Sequence, residues 1–188
     1  SNNQTKMKNT TFLKLKGNYK KLRVYKVSEV IYDITYFFAH KFLNRGDRTI
    51  DQMIQAARSG KQNIVEGNEA GYTSIETQIK LTNVAKASLE ELKIDYEDYL
   101  RVRNKVKWDK GHPRYLKTRQ YAQSEQLYLQ YPSILPKCTD EEIANLCLTL
   151  VHQASYMLQH LLERQQEKFL KEGGVREQMK QARLQARC

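Results

Sequence analysis

The chain has 188 residues, enough for one domain with a sizeable core, and 32 Lys/Arg against 21 Asp/Glu give it a formal charge of +11. No run of about 18 apolar residues occurs, so no helical membrane span is expected. The polar, lysine-rich N-terminus lacks the apolar stretch of a secretory signal.

Eight glycines and three prolines interrupt a sequence rich in helix formers. No alternating Val/Ile/Thr run stands between tight turn dipeptides, so strands are not expected and the fold class reads as all-α. The cysteines, Cys138, Cys147 and Cys188, are odd in number and scattered. That pattern suits reduced thiols and a cytoplasmic setting. Cys147 lies in an apolar helical run and reads as core, and Cys188 as exposed.

The positive charge is unevenly spread. Residues 1–26 hold eight Lys/Arg and no acid, a local charge of +8. Residues 27–104 come to −2, residues 105–137 to +5, and residues 138–188 to zero. Such asymmetry attracts polyanions, though a lysine-rich stretch can also serve only as a solvated, solubilising tail.

Residues 1–20 form a basic arm, in which Phe12, Leu13 and Leu15 could dock on the body. The first helix is predicted over about Leu22–Leu43. There Val24, Val27, Ile31, Ile34 and Phe38 recur at three- and four-residue spacing. Asn44-Arg45-Gly46 ends it, with Gly46 free to take a positive φ. Asp47 or Thr49 caps the second helix, which runs to about Gly67 with Ile50, Met53, Ile54, Ala57 and Ile64 inward. Ser59 and Gly60 cost helix propensity, which points to a close helix–helix crossing. Gly67 and Gly71 bracket the next turn.

Thr73 and Glu76 fit a capping box ahead of a third helix reaching about Arg103. Its inner face takes Ile75, Ile79, Thr82, Ala85, Leu89, Leu92, Tyr96 and Tyr99. At about 30 residues it spans roughly 45 Å, a length suited to a bundle. Residues 104–137 read as an insertion: a short helix from His112 to about Gln130, opened by Pro113, then an extended connector at Pro132 and Pro136. Thr139 and Glu142 form a second capping box. The last core helix runs to about Lys171 on a stripe through Ile143, Leu146, Cys147, Leu150, Ala154, Met157, Leu158, Leu161 and Leu162. Gly173-Gly174 stops it. Residues 173–188 are a charged, weakly amphipathic tail, expected to be helical given something to pack on.

Four long amphipathic segments joined by short turns, one insertion apart, can bury their stripes only against one another. The expected architecture is an antiparallel up-down four-helix bundle over residues 21–172.

The stretch Ala56-Ala57-Arg58-Ser59, then Asn63-Ile64-Val65-Glu66-Gly67, then Gly71-Tyr72-Thr73-Ser74 and Ala87-Ser88-Leu89-Glu90-Glu91-Leu92 resembles the four-helix-bundle proteins encoded in 23S rRNA intervening sequences. The Asn-Ile-x-Glu-Gly piece is the most specific, and the likeness covers roughly residues 22–104. Leu161-Leu162-Glu163, Phe169, Glu172-Gly173-Gly174, Glu177-Gln178-Met179 and Ala182-Arg183 resemble the longer, suffix-domain subgroup. The resemblance implies a bundle assembling into a ring, often a homopentamer, without known catalytic residues. It also implies kinship with a bundle protein that is accessory factor to the reverse transcriptase of diversity-generating retroelements and binds RNA through a basic surface. Family members often carry a basic pair where this chain has Gln55-Ala56-Ala57-Arg58, with one arginine only. A nucleic-acid contact there would be weaker or displaced.

Arg58, Asn63, Glu66 and Gly67 are the motif residues. Arg58 and Glu66, eight apart, share a helix face. Asn63 and Glu66 either tie the helix end to its neighbours or contact a ligand. None of His40, His112, His152 and His160 lies at ligand spacing from another His or from a Cys, so no metal or other cofactor is expected. No phosphate-binding Gly loop or nucleophile elbow is present. The acidic pairs Glu90-Glu91 and Asp95 with Glu97-Asp98 read as a solvated face, and no enzymatic activity is expected.

Two basic clusters remain. Lys14, Lys16, Lys20, Lys21, Arg23 and Lys26 are interleaved with Tyr19 and Tyr25. Lys105, Lys107, Lys110, Arg114, Lys117 and Arg119 stand with Trp108 and Tyr115. Positive charge suits phosphates, and exposed aromatic faces suit unpaired bases, which favours RNA over duplex reading. The competing account is that the aromatics pack the insertion onto the bundle. The functional expectation is an oligomeric nucleic-acid binder, with a protein–protein scaffold as the alternative.

Overall fold

The computed structural model describes residues 23–70 and 74–188. Among these residues every regular element is helical. Helix α1 occupies residues 23–42, α2 Arg48–Ala70, α3 Ile75–Val102, α4 Tyr115–Gln123, α5 Glu125–Ile134, α6 Asp140–Glu172 and α7 Val175–Gln185, with a 3₁₀ turn at Leu135–Lys137 before α6. Phe12, Leu13, Leu15, Gly71 and Thr73 lie outside the described residues. No helix is long and apolar enough to cross a membrane, among the residues described.

The stripe of α1 behaves as its spacing requires: Val24, Val27, Ile31, Ile34 and Phe38 are all buried. Gly46 takes φ +92° in the turn that follows. Asp47 does the capping, its Oδ1 accepting from the Thr49 N–H at 2.9 Å. Those hydrogen bonds from Thr49 hold the Asp47 carboxyl below its usual range. Helix α2 does not stop at Gly67 but continues to Ala70. The crossing with α3 is close at Gly60, where an added Cβ would stand 2.9 Å from Leu89 Cδ2. Ser59 Oγ and Ser88 Oγ, 2.7 Å apart, join the two helices at the same level.

The cap of α3 is Ser74, one residue later than expected, and its side chain accepts from the Thr77 N–H. Along α3, Thr82, Ala85, Leu89, Leu92, Tyr96 and Tyr99 are buried as the stripe predicts. Ile75 and Ile79 are only half-buried, and Gln78 is buried between them. Phe38, Tyr96 and Tyr99 form an aromatic cluster, with Phe38 5.0 Å from Tyr96 and 4.7 Å from Tyr99 between ring centroids. The Tyr96 hydroxyl is satisfied by Thr35 Oγ1 at 2.9 Å, as a buried polar group must be.

Residues 104–137 depart most from expectation. The single helix expected from His112 to Gln130 is two, broken at Ser124, whose ψ of 151° is extended. The Ser124 hydroxyl donates to the Tyr121 carbonyl at 2.7 Å, competing with helix continuation. Pro132 and Pro136 do not form an extended connector. Pro132 lies inside α5 and Pro136 in the 3₁₀ turn. Pro132 is exposed, so water can take up the carbonyl that loses its partner.

Both features of the Thr139 capping box are present. The apolar stripe of α6 is buried except for the half-exposed Met157 and Leu161. Gly173, at φ +72°, ends the helix. Helix α7 then forms without burying any side chain, leaving Val175, Met179 and Leu184 exposed. Its run of Arg, Glu, Gln, Met, Lys and Ala has high helix propensity, which favours the helical conformation locally.

Candidate nucleic-acid interface and an adjoining cleft

Of the first basic cluster, Arg23 and Lys26 are exposed on α1. Lys14, Lys16, Lys20 and Lys21 lie outside the described residues. The second cluster is brought together by residues 105–119, but half of its charge is matched within the chain. Lys105 Nζ is 3.2 Å from Asp140, Lys107 Nζ 2.8 Å from Glu97, and Arg114 3.0 Å from Glu142. The hydrogen bond that Lys107 donates to Glu97 raises the Lys107 pKa, against the opposing effect of burial. Burial alone would raise Asp140, yet Tyr99, Lys105 and the Glu141 N–H outweigh it and hold the carboxyl below its usual range. Lys110 and Lys117 are exposed, with no carboxylate within salt-bridge distance among the described residues.

The aromatic residues serve packing more than display. Trp108 stacks on His112 at 5.2 Å with an interplanar angle of 8°, and the Arg114 guanidinium stands 5.1 Å from its centroid. Tyr121, Tyr128 and Tyr131 are partly buried against the core, and the Tyr131 hydroxyl donates to Asp33 Oδ2 of α1 at 2.6 Å. Tyr115 accepts a hydrogen bond from Arg119 at 2.9 Å.

What anchors residues 105–108 is a side chain that sequence reasoning passed over. Asn145, 3% exposed in the α6 stripe, accepts from the Trp108 N–H at 2.8 Å. Its Nδ2 donates to the Val106 carbonyl at 2.9 Å. Glu141 accepts from the Val106 N–H at 2.7 Å. The only signal in the sequence was a polar residue at an inward position of an apolar stripe.

This docking leaves an open cleft of about 230 Å³ between residues 107–119 and α6, with Lys93 of α3 at its edge. Trp108, Tyr115, Arg119, His152 and Gln153 line it. Trp108 Nε1 and Gln153 Nε2 are buried and have no hydrogen-bond partner. Gln153 and Lys93 were not singled out by their sequence positions.

The motif residues do not line this cleft, and Asn63 and Gly67 instead share a small pocket with Val24 of α1. Arg58 and Glu66 are exposed on α2, and Gly67 is buried. Asn63 Nδ2 donates back to the Ser59 carbonyl at 2.8 Å and to its hydroxyl at 3.2 Å, within α2. The histidines are dispersed: His40 bonds the Tyr36 carbonyl at 2.8 Å and His160 lies 3.6 Å from Glu163. Among the described residues no three His, Cys, Asp or Glu side chains cluster as metal ligands would. Cys138, Cys147 and Cys188 are free thiols, and burial pushes the Cys147 thiol up to about 11.

Comparison of the chain with family models, with curated proteins and with solved structures finds no match.

Proposed function

We propose that this chain is a non-catalytic, oligomeric helical bundle that binds nucleic acid, RNA in preference, through basic surface. The observation that carries the reading is the charge distribution. Residues 1–26 hold eight Lys/Arg and no acid, whereas Lys105, Lys107 and Arg114 are matched by neighbouring carboxylates. The emphasis therefore falls on the N-terminal cluster, with Lys110, Lys117 and Arg119 as a second contact. Free thiols suit a reducing, cytoplasmic setting.

An up-down four-helix arrangement of the intervening-sequence kind is supported by the order of contacts. Val24 shares a small pocket with Ile64, Thr82 and Leu158. Farther along α1, Thr35 meets Tyr96 and Cys147. The contacts advance together on α1 and α3 and backwards on α6. Ring assembly and service to a reverse transcriptase rest on the sequence resemblance alone.

The test is the salt dependence of RNA binding. Neutralising phosphates on a single strand releases about 0.7 counterion each, so six contacts from the N-terminal cluster predict a log–log slope of about −4. Replacing Lys14, Lys16, Lys20, Lys21, Arg23 and Lys26 with glutamine should flatten that slope and weaken binding. Affinity indifferent to salt, or to these replacements, would sink the reading.

A scaffold role is the second reading, favoured by the exposed apolar side chains Leu170, Met179 and Leu184 near the C-terminus. Pull-down with nuclease treatment separates the two. A protein partner retained after nuclease, with no RNA recovered, favours the scaffold.

A further inference from the structure

We propose that the cleft beside Trp108 binds a nucleotide phosphate, carried either by a free nucleotide or by an RNA strand. The inference rests on the nucleic-acid reading for the class of ligand, and on the cleft for its place. The lining is dominated by donors. Arg119 spends one N–H on the Tyr115 hydroxyl, which leaves further guanidinium donors and the Tyr115 proton available. Trp108 Nε1 and Gln153 Nε2 are donors that lack partners, and leaving such groups unpaired is unfavourable. Lys93 and Lys107 also line the cleft with Asp109, but Glu90 and Glu97 already pair with these two lysines, which leaves Arg119 as the cation of the lining open to a ligand. A ligand rich in acceptor oxygens and negative charge complements this set. A cationic or donor-rich ligand does not.

The faces of Trp108 are engaged by His112 and Arg114. Recognition therefore uses the edge of the indole, and because Trp108 Nε1 and Gln153 Nε2 are closed to solvent as they stand, both side chains must turn toward an entering ligand. At about 230 Å³ the cleft holds a phosphate and part of its sugar, with far more room than one water requires.

Trp108 is the only tryptophan in the chain, so its fluorescence reports directly on the cleft. The experiment titrates the full chain with inorganic phosphate, uridine monophosphate and a short RNA, following Trp108 emission, with labelled-RNA anisotropy in parallel. A saturable change is expected, weakened about tenfold or more in Arg119→Gln. Gln153→Glu, which puts a carboxylate in the cleft, should weaken it further, with helical circular dichroism unchanged in both variants. A response to phosphate or uridine monophosphate assigns the cleft to free nucleotides, and a response to RNA alone assigns it to the strand. Emission flat to all three at millimolar ligand, or an Arg119→Gln titration identical to the parent, overturns the proposal. RNA bound by anisotropy with flat emission overturns the cleft while leaving the nucleic-acid reading intact. Uridine monophosphate bound without RNA affinity does the reverse.

Discussion

A methyl group at position 60 would stand 2.9 Å from Leu89 Cδ2 and 3.2 Å from Leu89 Cγ. Leu89 is fully buried and has little room to swing aside. Gly60→Ala would gain about 1 kcal/mol of helix propensity but incur an overpacking cost of about 1–3 kcal/mol. A lower urea midpoint is the expected result, and a higher one would show that α2 and α3 can separate freely. Tyr131 makes a different residue-scale prediction. Burial first, then the hydrogen bond to Asp33, pushes its pKa up to about 12. A raised folded-state pKa favours folding fully below the unfolded value of about 10. That contribution fades as pH rises through 12. Unfolding midpoints measured on either side of this window should fall in the parent and fall less in Tyr131→Phe.

At the scale of the element, α6 is held at its start by the Thr139–Glu142 box. Thr139→Ala should cost about 1 kcal/mol, read from thermal or urea unfolding. The Thr139 backbone N–H is the main cause of the lowered Glu142 carboxyl, helped by Arg114. A depressed folded-state pKa stabilises above the unfolded value of about 4.3 and loses that effect as pH falls through the folded value. The acid limb of the stability profile below about pH 4 should therefore be shallower in Glu142→Gln. The same first turn also holds Asp140, bonded by Tyr99 at 2.6 Å. One helix start thus gathers α3, α6 and the segment between them.

Across the whole molecule, the balance of cations decides where a polyanion could bind. Ion pairs at partly exposed positions contribute about 0–1 kcal/mol each. Replacing Lys105, Lys107 and Arg114 with glutamine should therefore lower stability modestly. Because their charge is already matched, RNA affinity should move less than with Lys110→Gln, Lys117→Gln and Arg119→Gln together. Anisotropy on the two triple variants, equal in net charge change, reads the difference. Equal losses from the two triple variants would show that only total charge matters.

The apolar faces were legible because a 3.6-residue period needs no knowledge of the partner: Val24 to Phe38 and Ile143 to Leu162 read as stripes and are packed as stripes. The caps at Asp47 and Thr139 were equally local. The break at Ser124 and the helical Pro132 were not, since a hydroxyl competing for a carbonyl and a proline at a solvent-facing site turn on geometry that composition does not carry. Gln78, Ser88 and Asn145 looked polar and proved buried, because their surroundings come from elsewhere in the chain. The basic segment shows the division most clearly. Residue types alone make the stretch 105–119 positive. How much of that charge faces outward is a matter of packing, because Coulomb attraction acts through space, and folding sets Glu97, Asp140 and Glu142 beside Lys107, Lys105 and Arg114.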